Sequence, residues 1–333
     1  MAISKIILKA AGLVASWGAL KAFDAYEKNQ EAKEVNASAN KLVEDARAFT
    51  NQKRIDSSKS LQLLGEVKLS VLDESIYRFI NAFEKIKNIE LSNTVGIEEL
   101  NKFRIDKNAT IELRELSVMA HSVMQGLVAG SGAGALTAYG AYSATMMLAK
   151  ASTGTAIATL SGVAAKNATL AFLGGGALAA GGGGMAMGSI VLGGVIAAPA
   201  IAILGVFLDA TASKNLDLAY VNQAEAMVII EELKIANDIF EGIKNRSKLF
   251  IDLLYKLNPI FVKLINQIER LVVESGTNFS EYSQSEKEKI AMSLSIAGAI
   301  KSVLDTPILT EDGNITVESE KIGHEIGKII LNQ

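Results

Sequence analysis

Residues 69–86 read LSVLDESIYRFINAFEKI, and within them Leu69, Leu72, Ile76, Phe79, Phe83 and Ile86 recur at spacings of 3, 4, 3, 4 and 3. That is a heptad seam, which lays one apolar stripe along a helix against a partner. Read backward from it, the sequence continues as helix to about Lys28. Read forward, it breaks between Ser92 and Gly96, where Asn93 and Gly96 are the local helix breakers. A second helix, from about Ile97 to Glu115, is expected next.

A similar pattern returns late in the chain. Ile229, Leu233, Ala236, Phe240 and Ile243 repeat at 4, 3, 4 and 3, and Phe250, Leu253, Leu254 and Leu257 follow. Pro259 is expected to bend or restart this helix, because it lacks an N–H and crowds the preceding turn. Phe261, Leu264, Ile268 and Leu271 carry the stripe onward. After a loop from Gly276 to Ser283, Ser285 and Glu288 have capping-box spacing for a helix through Leu304. Pro307 ends that helix, Asp312 and Gly313 form a turn, and a last helix is expected from Val317 to Leu331. Sustained period-two alternation occurs nowhere, so the fold class is all-α.

Between the two arms the composition changes abruptly. Residues 116–208 hold 18 of the 28 glycines, and their only formal charges are Lys150 and Lys166. The run 116–149 has no formal charge, and neither do residues 167–208. As a helix, Gly126 to Ala149 would reach about 36 Å, and Met185 to Leu208 would reach the same, with a kink at Pro199. Either length can cross a hydrocarbon core of roughly 30 Å. Ser152 to Leu173 is a weaker candidate, because Lys166 falls inside it. Two full spans plus a shorter or re-entrant element are expected, an even number of crossings that keeps both arms on one side.

The glycine spacing sharpens this reading. Gly126, Gly130 and Gly134 stand four apart, as do Gly154, Ala158 and Gly162, and again Gly176, Ala180, Gly184 and Gly188. Residues four apart share a helix face, so each series makes a groove almost without side chains. In water, an interior glycine costs up to about 1 kcal/mol relative to alanine. In lipid, close backbone approach is the main source of helix association. The pattern therefore predicts tight helix packing, between subunits of a homo-oligomer. The bland reading of the same block is the core of a large soluble bundle. Gly174 to Gly176 and Gly181 to Gly184 are denser than a zipper requires and read as hinges.

The boundaries expected from these shifts are 1–23 as an N-terminal apolar or interfacial helix and 24–115 as a helical arm. They continue with 116–208 as the glycine-zipper membrane region, 209–275 as a second arm and 276–333 as a C-terminal helical subdomain. The uncharged run Ala10 to Leu20 is too short to span a bilayer. Lys21 closes it without a clean cleavage site, so an interfacial helix carrying Trp17 fits better than an export signal.

Composition excludes much chemistry. The 333 residues contain no cysteine and two histidines, His121 and His324, and the net charge is −3. Thiolate metal sites, cysteine nucleophiles and imidazole clusters are therefore absent, and nothing in the charge balance points to nucleic acid. Gly130 to Ala135 matches a relaxed dinucleotide fingerprint, but a helical segment precedes it and no carboxylate follows before Asp209. There is no phosphate-binding GxxxxGK[ST] loop and no G-x-S-x-G elbow. No enzyme activity and no cofactor are expected. Lys150 and Lys166 read as snorkelling residues at the membrane surface, or as pore-lining charges that bias ion selectivity. His121 reads as a satisfied histidine, with pH sensing as the sharper alternative.

Several segments carry a resemblance: Arg78 through Asn88, Ala151 through Ile157, Asn167 through Gly176 to Met185, and Val303 through Leu309. Together they resemble bacterial glycine-zipper membrane proteins, among them the channel effector of the Hailong anti-phage system. A more distant likeness is to helical pore-forming toxins. The first resemblance implies a channel in the cytoplasmic membrane, arms in the cytoplasm, and a nucleotide or oligonucleotide regulator made by a companion nucleotidyltransferase. No ligand-binding motif is matched residue by residue. Three readings stand at this point: a channel or pore-forming effector, a secreted toxin that stores its apolar segment in a soluble bundle, and a coiled-coil interaction protein.

Overall fold

The structure, a computed structural model, describes residues 2–89, 105, 107–127, 139–141, 215–310 and 314–331. Among these there is no strand, and the fold is all-α. The main elements are α1 (Ala2–Ser70), a π-helical turn (Val71–Ile76), α2 (Tyr77–Phe83), α3 (Lys107–Leu127), α4 (Asn215–Glu274), α5 (Gln284–Asp305) and α6 (Val317–Leu331). The chain divides into two compact units. One draws on 1–53 and 196–238, the other on 54–195 and 239–333.

In the first unit α1 and α4 pair through small residues. Ala39, Val43, Ala226, Ile229 and Leu233 form the core, with Ala46 and Ile230 against it. Tyr220 donates to Glu31 at 2.8 Å and Asn222 to Asn36 at 3.1 Å. Residue numbers rise together on both helices, so the pair is parallel.

The second unit repeats that direction. Arg78 grips the Glu269 carboxylate through Nε at 3.2 Å and Nη2 at 2.7 Å, and also donates to Asn266. The Lys87 amide donates to Thr277 at 2.7 Å, and Phe279 donates back to Lys87 at 3.0 Å, a parallel bridge. Phe79 and Phe261 are fully buried, with ring centroids 5.1 Å apart. The stripe from Phe250 through Leu271 is buried at every position named above.

The π turn solves a register conflict written in the sequence. Leu61, Leu64, Lys68 and Val71 are buried at spacings of 3, 4 and 3, whereas Leu72, Ile76 and Phe79 follow a frame one residue later. The extra residue of a π turn absorbs the offset, so Val71 and Leu72 are both interior.

Three local details differ from the sequence reading or refine it. α4 does not restart at Pro259, because it is buried on both sides of the proline, at Leu254, Leu257, Phe261 and Ile265. The capping box of α5 forms at Ser283 and Glu286, two residues before the expected pair. Tyr282, buried and donating to the Gly276 carbonyl at 2.6 Å, fixes the chain just ahead of Ser283. α3 continues past Glu115 into the apolar block, while residues 97–104 lie outside the described residues. The last helix occupies Val317–Leu331, as expected.

Replacing Phe79 by Ala removes a fully buried ring and is expected to lower unfolding free energy by about 3–5 kcal/mol. Ser283→Ala, which deletes only the α5 cap, should cost about 1 kcal/mol. Urea titration followed by helical circular dichroism distinguishes the two.

Candidate functional site

Lys68 stands where the seam of α1 calls for an apolar side chain, and it is fully buried. Its amine donates to the Leu304 carbonyl at 3.4 Å and to the Tyr139 carbonyl at 3.5 Å, and it lies 5.4 Å from the Tyr139 ring centroid. Burial pulls it down from the ordinary lysine value of 10.5 to about 7, against the opposing pull of the Asp305 carboxylate. Desolvation dominates because burial strips the ammonium of its water.

Asp305 belongs to a second layer. Burial raises its carboxyl above the usual range, although Lys301 opposes the rise by donating to Oδ2. Lys301 also pairs with Glu112 at 3.0 Å. Burial lowers Lys301, but the two carboxylates outweigh it and leave the amine above the ordinary lysine value. Two buried atoms here, Tyr139 Oη and Asp305 Oδ1, have no hydrogen-bond partner among the described residues. Each such orphan costs about 1–3 kcal/mol.

The group resting on Lys68 is a piece of the apolar block. Residues 139–141 are helical and buried. The Ala141 carbonyl accepts from the Ile308 amide at 2.7 Å and the Leu309 amide at 3.1 Å. A Cβ on Gly140 would sit on the Leu61 carbonyl and 3.1 Å from the Gly65 amide, so this crossing admits only glycine.

The helix that leads into the block is fastened as well. Leu113, Leu116 and Ala120 of α3 are fully buried, and α3 packs on the π turn and α2. His121 Nδ1 lies 2.6 Å from Asp73 Oδ1, and its ring stacks on Tyr77 with centroids 5.3 Å apart. Arg114 pairs with Glu84 at 2.9 Å. The exposed pairs contribute little beside the buried leucines, each worth about 1.5–3 kcal/mol.

Of the residues singled out from sequence, Gly126 lies in α3. Gly130, Gly134, Gly154, Gly162, Gly176, Gly184, Gly188, Lys150 and Lys166 lie outside the described residues. Sequence reasoning missed Lys68, Tyr139, Gly140 and Asp305 as a group. One signal was available: a lysine occupying a seam position between Leu64 and Val71. Among the described residues no cluster of three metal-ligating side chains occurs, and no helix is long and apolar enough to cross a membrane. Comparison with protein families, curated proteins and solved structures returns no match.

Gly140→Ala is expected to expel residues 139–141. Hydrogen exchange at the Ile308 and Leu309 amides should then accelerate by about tenfold or more, while amides of the first unit keep their protection.

Proposed function

We propose that this chain is a non-enzymatic, membrane-permeabilising protein whose apolar block, residues 116–208, acts in the bilayer and whose helical arms hold and regulate it. The observation that carries the reading is the union of two facts. The block has the length, charge depletion and four-residue glycine spacing of lipid-packed helices. Its described part packs on the charged helical arms, α3 on the π turn and α2, and residues 139–141 on α1 and the segment after α5.

In this reading the protein assembles as a homo-oligomer through the Gly126 and Gly184 grooves, and opening depolarises the membrane. The cytoplasmic membrane of the producing cell is the target. The resemblance to anti-phage channel effectors supports a defence role, with a nucleotide or oligonucleotide regulator as partner. The docked tripeptide specifically favours the stored-segment version, in which a bundle-held form precedes insertion.

Purified full-length protein should release dye from phosphatidylglycerol-containing liposomes and resist carbonate extraction from membranes. Gly130→Leu and Gly184→Leu should each abolish release by blocking close helix approach. Reversing Lys150 and Lys166 to Glu should shift the cation-to-anion permeability ratio. A wild-type protein that neither leaks vesicles nor partitions into membranes overturns the reading and leaves a coiled-coil interaction protein.

A further inference from the structure

We propose that the first unit docks on a second copy of this chain. The outer ladder of α4, Val221, Val228 and Ile235, packs on the ladder Val35, Leu42 and Phe49 of α1 in the neighbouring copy. The contact is separate from the glycine grooves assigned above, and only its parallel direction rests on the membrane reading.

This unit shows water more apolar bulk than it hides. Among its described residues the buried aliphatic side chains larger than alanine are Val43, Ile229 and Leu233. Leu42, Phe49, Val221, Val228 and Ile235 are 47–62% exposed. A helix pair with so thin a core is marginal alone, and association is a usual remedy.

The exposed residues are ordered. Each ladder repeats every seven residues and so forms one stripe along its helix. On α4 it stands two positions beyond the buried Ala219, Ala226 and Leu233, about 200° round the helix and away from α1. On α1, Leu42 and Phe49 stand one position before the buried Val43 and Thr50, about 100° round. Val35 is half-buried, and the Lys53 amine lies 5.5 Å from the Phe49 ring centroid. One chain cannot bring its own two ladders together, but two copies can.

The heights agree as well. Asn222 donates to Asn36 across an offset of 186 residues, and that offset also separates Val35 from Val221, Leu42 from Val228 and Phe49 from Ile235. Rotation about an axis along the helices preserves height, so a neighbour related in that way meets the ladder rung for rung. Two different stripes make the contact heterologous, and it repeats from copy to copy until a ring closes. Antiparallel copies would meet one bilayer from opposite ends, so the membrane reading selects the parallel direction.

Charge selects the occupant. From Leu216 to Asp238, α4 carries five carboxylates and one lysine, whereas α1 from Tyr26 to Lys53 carries five charges of each sign. Contact of α4 with another α4 would set like charge on like, and an anionic lipid surface would repel the same stripe. The α1 helix of a second copy does neither.

Because the chain has no cysteine, full-length protein in detergent can carry Phe49→Cys and Ile235→Cys as its only thiols. Under oxidant it should form bridged dimers, trimers and higher species on denaturing gels, cleared by dithiothreitol. Val228→Glu or Leu42→Glu, with helical circular dichroism unchanged, should cut the bridged yield about tenfold. Lys41→Cys with Lys234→Cys, exposed on other faces, should not bridge. Bridging that survives both glutamates, or that the lysine-site pair matches, is random collision and overturns the proposal. Should neither glutamate variant keep its helix signal, the comparison with the lysine-site pair decides. A bridge within one chain, or thiols shielded from maleimide in monomeric protein, identifies a segment of the same chain as the cover and overturns it. Thiols shielded only when phosphatidylglycerol liposomes are added identify lipid and also overturn it. Thiols that label freely and never bridge exclude a second copy from this face. Bridging of Phe49→Cys to Val221→Cys in place of Ile235→Cys marks an antiparallel pair and overturns the ring. Bridged species without dye release support this interface and overturn the membrane reading, whereas dye release without bridging does the reverse.

Discussion

The parallel pairing of α1 and α4 is the constraint from which the rest of the architecture follows. In one unit Glu31 of α1 meets Tyr220 of α4; in the other Arg78 of α2 meets Glu269 of α4, and Lys87 meets Asn278 just beyond these helices, with numbers rising in the same sense within each unit. A short loop can join two helices only when they run in opposite directions. The connection from the end of the first arm to the start of α4 is therefore long, and in sequence the whole apolar block falls within it. Within each unit the arms make their own core, Ala39 and Val43 on Ala226 and Ile229 in one and Phe79 on Phe261 in the other.

α3 and residues 139–141 meet the arms through different chemistry. α3 presents Leu113, Leu116 and Ala120, all fully buried, and adds ion pairs at Glu112 and Arg114. The tripeptide buries one tyrosine, leaves that tyrosine's hydroxyl without a partner among the described residues, and rests on a desolvated amine. Burial of the tyrosine and of Ala141, with the two amide donors onto the Ala141 carbonyl, offsets those penalties.

Much of this fold was legible in the sequence because the information is local. The 3-4 spacings marked the buried faces of both arms, and the Pro307 stop and the last helix were read at their observed bounds. What was not legible depends on distant partners. The Ser283 and Ser285 frames each offer a Ser-x-x-Glu pair, and only the buried Tyr282 decides between them. Lys68 looks like any lysine of a charged helix until the Leu61–Val71 frame is separated from the Leu69–Phe83 frame, and the π turn that separates them has no sequence signature. Gly140 belongs to none of the four-residue glycine series, and its necessity comes from the carbonyl of Leu61 in another helix. The zipper itself, the most conspicuous feature of the sequence, is mostly outside the described residues.

The position of Lys68 also explains why a lysine there is not equivalent to the apolar residue its neighbours lead one to expect. A methionine would fill the same space, leave Asp305 to Lys301 and Glu112, and avoid the desolvation penalty altogether, as buried charges replaced by apolar groups commonly do. The seam would be more stable and indifferent to its surroundings. The lysine makes the underside of residues 139–141 responsive to anything that alters charge near α5, including protonation of the amine and displacement of Asp305. Lys301 joins Asp305 to Glu112 of α3, so charged groups of α1, α3 and α5 form one neighbouring set. Burial of that charge is imposed by α1, α5 and residues 139–141 together, so its cost is a property of the assembled unit and not of the helix that carries it.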